Sequence, residues 1–381
     1  MTDTATGFVP CPITLASQDL RHMVQLGRLL HDLRSNPAYL EAITPELPAI
    51  ARHDPGHHSV MMGFDFHLTP QGPRLIEVNT NAGGGLLAYR AHTPSFQGQA
   101  FEATDDAPTR RHQLALLDAF QQEWSLFQRH NQQPPRPLQR IAIMDENPSA
   151  QFLYPEMLAF ARFFQHWGIE AVVCDPSALH MTEEGVFYKG QAIDLLYMRH
   201  CDFYLETPAL AGLKAAYASN TICLTPNPRL YGLLADKRRL VHLSDPQWLR
   251  ELGLPTLHIE RLLRTIPICR SLSSFSDRSA LWSARKQWVF KPANAHGSRG
   301  VVLGKSMRQN RFNELDEATT LVQAVVPPSQ VQCPHVATPM KLDIRLFAYA
   351  RRMLGVTARV YTGQITNFKD PHSGYAAVKV L

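Results

Sequence analysis

Glu77 and Asn79 stand two residues apart in "LIEVNTNAGGG", residues 75–85, where a strand-like run (Leu75, Ile76, Val78) meets three glycines. Strand alternation puts the two side chains on one face. A carboxylate and an amide oxygen aimed at one spot suit a hard divalent cation. Far downstream, "WVFKPANAHGSRGVVLGK" delivers Lys291 on a strand into a loop of small and polar residues that includes Gly297, Ser298 and Gly300. Glycines let backbone N–H groups approach an anion closely, and a lysine beside them is a point charge suited to phosphate. The plain alternative is a hairpin turn with an exposed lysine. The G-x-x-x-x-G-K-[ST] order of a P-loop is absent. Next comes "TTLVQAVVPP", an apolar strand interrupted by Gln323, which could face a flat heterocycle or simply lie in a core. Last, Asp343 and Arg345 alternate with Leu342, Ile344 and Leu346 and so share a polar face. Arg359 follows on the next strand, and Asn367 sits in a loop before "SGY"; an ordinary surface ion pair is the alternative there.

These residues must be positioned by regular elements. Helical periodicity runs over 17–36, with Ser17 as the expected N-cap. "SVMMGFDFHLTPQGPRLIEVN" reads as a β-hairpin turning at 69–73, with Asp65 on the strand that partners Glu77. A long helix is expected over 107–130, followed by a polar, proline-bearing joint, "NQQPPRPLQ". Short apolar strands then alternate with helices up to about residue 226, which indicates parallel α/β layering. Helices over 233–243 and 245–252 lead into a strand-rich, mostly antiparallel end. The expected division is 1–135, a helical segment plus hairpin; 136–228, an α/β substrate domain; and 229–381, a nucleotide-binding region.

Composition excludes several classes. A chain of 381 residues with 45% hydrophobic and 19% charged residues is that of a folded protein, long enough for two or three domains. A net charge of +5 is too diffuse, and too poor in basic–aromatic runs, to argue for nucleic acid. No stretch reaches the ~18 apolar residues of a membrane helix, and the first twenty residues lack the basic start and apolar core of a signal peptide. The six scattered cysteines read as reduced, packed thiols in a cytoplasmic protein. His53, His57 and His58, in a Pro/Gly loop, read as solvated rather than as a zinc site.

The order of lysine strand, glycine-rich loop, apolar strand, D-x-R and arginine strand resembles the ATP-grasp carboxylate–amine ligases. Members with the common motif order close on E-x-N, which is missing after Asn367 here and stands instead at Glu77 and Asn79. That order resembles the circularly permuted arrangement of eukaryotic-type glutathione synthetase and glutathionylspermidine synthetase. The resemblance implies an α+β and α/β architecture: a permuted ATP-grasp fold with a preceding α/β (pre-ATP-grasp) domain. It implies ATP and Mg²⁺, with Asp65, Glu77, Asn79 and Asp343 at the metal. It places Lys237, Lys291, Gly297, Ser298, Gly300, Gln323 and Asn367 at the nucleotide, and Arg345 and Arg359 at the transferring phosphoryl group. Arg199, at a strand's C-terminal end, is expected to anchor a substrate carboxylate, with an ion pair to Asp202 or Glu206 as the alternative. Two departures stand out: Ala324 follows Gln323 where the family has an acid, and Gly63 stands where related synthetases carry an arginine. The implied partners are a small-molecule or peptide carboxylate and an amine, with neither nucleic acid nor membrane; a homo-oligomer is compatible with the sequence. Phosphorylation without ligation and a non-catalytic nucleotide-binding regulator are the rival readings.

Overall fold

Asp65 and Glu77 face each other across a hairpin whose strands, Met62–Thr69 and Gly72–Asn79, pair antiparallel as the sequence requires. The structure, a computed structural model, describes residues 8–86, 107–293, 300–334, 336–364, 366, 368, 370 and 372–381. Gly297, Ser298 and Asn367 lie outside the described residues. Met62–Thr69 pairs on its other edge with Met340–Tyr349, which pairs with Arg352–Tyr361, which pairs with Gly374–Ala376. Ser329–Val331 joins the opposite end of Met340–Tyr349 and completes a six-stranded sheet. The early hairpin and the final strands therefore share one sheet, as the permuted motif order demands.

Alternation gives this sheet two unlike faces. Phe64, Phe66, Leu75, Val78, Ile344, Leu346, Ala358 and Val360 are buried together against the Ser17–Leu33 helix, which contributes Met23, Leu26 and Leu30. The opposite face carries the acids and arginines. The helix is capped at Ala16, not at Ser17 as expected, because the Ser17 N–H donates to the Leu381 carbonyl at 2.7 Å. That bond extends a two-stranded parallel ribbon, Ile13–Leu15 with Val378–Val380, which joins the two ends of the chain. Strands of three residues are too short for periodicity to reveal.

A second, four-stranded antiparallel sheet runs in the order Cys269–Ser271, Thr320–Ala324, Trp288–Pro292, Val302–Leu303. It closes over its own small core of Leu272, Leu281, Phe290, Met307, Phe312 and Val322. The α/β layer is a parallel sheet ordered Cys223–Thr225, Leu195–Met198, Arg140–Met144, Glu170–Cys174. One face packs on the Ala107–His130 and Tyr154–His166 helices through Phe120, Phe127, Phe160 and Phe164; the other packs on Ala211–Ala218. The polar joint after the long helix is tied down, since Trp124 Nε1 donates to the Arg136 carbonyl at 2.9 Å and Arg136 pairs with Asp194 at 2.6 Å.

Three expectations are corrected here. The helix over 233–243 is broken: a π-helical turn, Tyr231–Ala235, ends at Asp236, and an α-helix resumes at Arg239–Leu243. Asp236 causes the break by accepting from the Arg238 N–H at 3.0 Å, the Arg238 guanidinium and the Tyr204 hydroxyl. Cys11 and Cys333 are not reduced thiols but a disulfide, their Cα atoms 5.0 Å apart across 322 residues of sequence; no local spacing announces such a pair. His57 is buried at 2% exposure rather than solvated, with Nδ1 on Glu123 at 2.9 Å. Among the described residues, no helix is long and apolar enough to cross a membrane.

Candidate functional site

Register does most of the assembly. Glu77 lies opposite Asp65, Asp65 opposite Arg345, and in the next row Asp343 lies opposite Arg359 and Arg359 opposite Tyr375. Cross-strand neighbours share a face and approach closely, so residues as far apart in sequence as Glu77 and Arg359 crowd together. Asp65, 1% exposed, accepts Arg345 Nε at 2.6 Å and Arg345 Nη2 at 2.7 Å, a bidentate grip. It also accepts Arg359 Nη2 at 2.8 Å and Asn79 Nδ2 at 3.2 Å. Three of these four donors converge on Oδ2 and one on Oδ1, and three of the four come from guanidinium groups. The expectation of Asp65 as a metal ligand is therefore corrected: it holds arginines. Burial alone would raise its pKa, but Arg345 and then Arg359 outweigh that and hold the carboxyl well below the ordinary range.

Asp343 accepts Arg359 Nε at 2.6 Å and the Thr366 hydroxyl at 2.6 Å. Arg345 Nη1 donates to the Gly83 carbonyl at 3.0 Å. Both guanidinia are thus fixed before any ligand arrives, and Asp65 and Asp343 push the Arg359 pKa further up despite its burial.

The hairpin register shifts by one residue beyond Asp65, since Asp65 faces Glu77 but Phe66 faces Leu75. Ile76 is thereby left without a partner, and a bulge of this kind frees backbone groups. The freed Ile76 carbonyl accepts the Lys291 ammonium at 3.3 Å, 215 residues along the chain. Lys291 is 6% exposed. Burial lowers its pKa; Glu77 opposes that shift and Lys237 adds to it. Lys237 stands half-buried in the turn that Asp236 creates and does not line the cavity.

Lys291, Glu77, Asn79, Asp65, Asp343, Arg345, Arg359 and Gln323 all line one cavity of about 510 Å³, within the roughly 300–1,000 Å³ of small-molecule sites. Its roof, from the four-stranded sheet, is an apolar slot of Val289, Val301, Leu303, Val325 and Val326. At its back Gln323, 2% exposed, presents an Nε2 with no hydrogen-bond partner. Two backbone donors of the adjoining segment are already used: the Ala324 N–H donates to the Ile268 carbonyl and the Val325 N–H to the Gln287 carbonyl, both at 2.8 Å. His67 donates from Nδ1 to the Val326 carbonyl at 2.7 Å; burial lowers the ring's pKa, and that bond opposes the shift. Gly300 has a φ of +71°, a conformation that favours glycine.

The donor set fits the ligands expected of it. Glu77 and Asn79 are hard oxygen donors, and the Asn79 amide nitrogen sits between the carboxylates of Asp65 and Glu77 at 3.2 and 3.3 Å, marking a point that favours positive charge. Among the described residues, no group of three His, Cys, Asp or Glu side chains could hold a metal ion. The orphan Gln323 amide, buried beside an apolar slot, fits a polar heterocycle or its sugar.

Arg199 is corrected too. It is 6% exposed and off the cavity wall, its Nη1 donating to Asn81 Oδ1 at 2.8 Å and to the Tyr197 hydroxyl at 3.1 Å. It buttresses the loop after Asn79 through Asn81. The glycines of that loop are explained by close approach: a Cβ on Gly83, Gly84 or Gly85 would collide with Leu153, Tyr375 and Met61 respectively. Sequence reasoning missed Lys286, Lys305, His67, Thr366 and Tyr375 on the wall; they belong to no spaced motif, and only the register of distant strands brings them in.

No family model and no curated sequence matches the chain. Solved structures do. A glutathione synthetase-like effector from Globodera pallida superposes with a TM-score of 0.59 at 10% identity, over 98% of this chain and 90% of that one. A putative gamma-glutamylcysteine synthetase from Methylobacillus flagellatus KT gives 0.53 at 10% identity, over 97% and 90%. At such identity the likeness speaks to architecture, and with the hairpin, the two sheets and the α/β layer in place, the chain has the ATP-grasp fold of glutathione synthetase-like proteins.

Proposed function

We propose that the chain is an ATP-dependent carboxylate–amine ligase working through an acyl phosphate. The observation that carries this reading is the row Glu77–Asp65–Arg345, with Asp343–Arg359 beside it, opening on the same cavity as Lys291 and the unpartnered Gln323 amide. Glu77 and Asn79 would hold Mg²⁺, which when bound neutralises phosphate charge and orients the phosphoryl group. Lys291 and Lys237 would compensate the nucleotide phosphates, and the apolar slot beside Gln323 would take the base.

A substrate carboxylate oxygen would attack the γ-phosphorus, and the bond to the β-bridging oxygen would break with loss of ADP. An amine would then add to the acyl carbon, phosphate would leave, and the surplus amine proton would pass to solvent, giving an amide, ADP and Pi. A free carboxylate is a poor electrophile, hence the need for activation. The side chains would act by placement and charge: Arg345 and Arg359, locked by Asp65 and Asp343, are donors that need no reorganisation as charge develops. Because a free acyl phosphate is hydrolysed by water, the reaction requires water to be kept from the acyl carbon until the amine adds.

The test is incubation of the protein with ATP, Mg²⁺ and pools of acids and amines, followed by ADP release and by mass spectrometry. A condensed product that is lost in Glu77→Gln supports the ligase. A phosphorylated product without condensation identifies a phosphotransferase, and ADP release unchanged in Glu77→Gln defeats the site assignment.

A further inference from the structure

The cavity has a second end that the nucleotide chemistry leaves unused. It faces the α/β layer, and its wall comes from the loops that follow two adjacent parallel strands: Phe152 and Leu153 beyond Arg140–Met144, and Phe203 beyond Leu195–Met198. The C-terminal ends of parallel strands are where such sheets receive ligands. The remaining members, Phe368 and Tyr375, come from the final stretch of the chain. Phe152 and Phe368 lie 5.9 Å apart between ring centroids, and Phe368 and Tyr375 lie 4.9 Å apart. Tyr375 links this aromatic end to the phosphoryl end, because it stands opposite Arg359 in the sheet.

Three observations give this end its chemistry. Phe152 is 59% exposed, a large apolar ring left open at the mouth of a cavity. The polar residue beside it, Asn81, is already engaged: its Nδ2 donates to the Arg199 carbonyl at 2.6 Å and its Oδ1 accepts Arg199 Nη1 at 2.8 Å. Arg199 is buried behind that amide and does not line the cavity, and the lysines that do besides Lys291, namely Lys286, Lys305 and Lys341, come from turns flanking the four-stranded sheet and from Met340–Tyr349, not from the α/β loops. The wall thus offers hydrophobic surface and aromatic faces, where a polyanionic acid would need cations or free donors.

We infer that the carboxylate substrate carries an aromatic or branched apolar side chain, seated against Phe152, Leu153, Phe203, Phe368 and Tyr375 while its carboxylate reaches Arg345 and Arg359. This rests on the ligase reading for what happens to the carboxylate, but the preference itself is a property of binding. It sets the chain apart from ligases whose acid is a charged, glutamate-bearing compound.

The experiment measures binding first and turnover second. Full-length protein with Mg²⁺ and the non-hydrolysable analogue AMPPNP is titrated with N-acetylphenylalanine, N-acetylleucine and N-acetylglutamate, by calorimetry or ligand-observed NMR. The expected result is that the two apolar acids bind at least about tenfold more tightly than the acidic one, the scale on which hydrophobic pockets discriminate. Phe152→Ala should remove most of that preference, and Phe152→Leu should retain part of it. Equal or tighter binding of N-acetylglutamate, or no binding of either apolar acid, overturns the inference. With ATP and an amine pool added, binding of the apolar acids without ADP release would defeat the ligase and leave the apolar pocket standing. Turnover confined to acidic acids would defeat the pocket and leave the ligase.

Discussion

Asp65 is the residue on which the site's geometry turns, because its single negative charge is shared by the Arg345 and Arg359 guanidinia, with Asp343 pairing Arg359 as well. Asp65→Asn removes that charge and leaves Arg345, 7% exposed, and Arg359 to repel each other. Breaking a buried pair from one side costs about 3–5 kcal/mol. The expected outcome is a clear fall in thermal midpoint together with loss of ATP turnover, read by calorimetry and by ADP release. Glu77→Gln should behave differently: Glu77 supports Arg359 and Lys291 by charge but neither bonds it directly, so the fold should survive while Mg²⁺-dependent turnover drops by at least ~100-fold, the scale for losing one strong electrostatic contact. A stable but inactive Asp65→Asn would refute the assignment of Asp65 to the arginines. The residue types were legible in the sequence, since alternation alone put Glu77 with Asn79 and Asp343 with Arg345 on common faces. Their partners were not. Which strand Asp65 meets depends on a register set 280 residues away, and no local pattern encodes that, so a residue expected at the metal proved to be occupied by arginines.

At the scale of elements, the glycine run after Asn79 is where three parts of the fold converge. Leu153 from the α/β layer, Tyr375 from the final strands and Met61 from the hairpin's approach occupy the space that side chains on Gly83, Gly84 and Gly85 would fill. The helix beyond Leu153 contributes Glu156, which accepts the Gly84 N–H at 2.9 Å and the Leu86 N–H at 3.1 Å. Gly84 also has a φ of +93°. Gly84→Ala should therefore destabilise by about 1–3 kcal/mol through backbone strain alone, with more from displacing Tyr375, and denaturant unfolding would measure it. A neutral Gly84→Ala would mean that the loop adjusts freely. The hairpin and the long helix were readable from length and periodicity, and the parallel layer from short apolar runs alternating with helices. The terminal ribbon, the π-helical turn at Tyr231–Ala235 and the hairpin bulge were not. Each spans only a few residues and is decided by tertiary partners, as when Asp236 ends the turn that carries Lys237.

Over the whole molecule, two buried devices hold the layers in register. Glu123, fully buried, accepts four donors at 2.9 Å: the His57 ring, the His58 N–H, the Thr225 hydroxyl and the Tyr349 hydroxyl. It joins the long helix to the hairpin's approach, the parallel sheet and the central sheet. Nearby, burial, reinforced by Arg34, lowers the pKa of His31 to about 3 and of His58 to about 4. Unfolded histidines protonate near pH 6.5. Between pH 6.5 and about 4 the unfolded state thus binds more protons than the folded one, so stability should fall as pH drops through that window and recover as it rises. Replacing His58 with Phe should flatten the slope of midpoint against pH, and an unchanged slope would exclude His58 as its source. The second device is the Cys11–Cys333 bridge, which ties the amino-terminal ribbon to the segment after Ser329–Val331. Such bonds typically contribute about 2–4 kcal/mol, so dithiothreitol should lower the thermal midpoint of the parent protein but not of Cys333→Ser. The sequence's scattered cysteines hid this pair for the same reason they hid Arg345 from Asp65: the fold brings together what spacing keeps apart. The central claim is that acids from the chain's beginning and cations from its end enclose a single metal-bound triphosphate. A crystal structure with Mg²⁺ and AMPPNP tests it most directly. The account predicts Mg²⁺ at roughly 2.1 Å from oxygens of Glu77 and Asn79, with the γ-phosphate between Lys291 and the Arg345–Arg359 pair. A nucleotide bound elsewhere, or a metal held without Glu77, would contradict it.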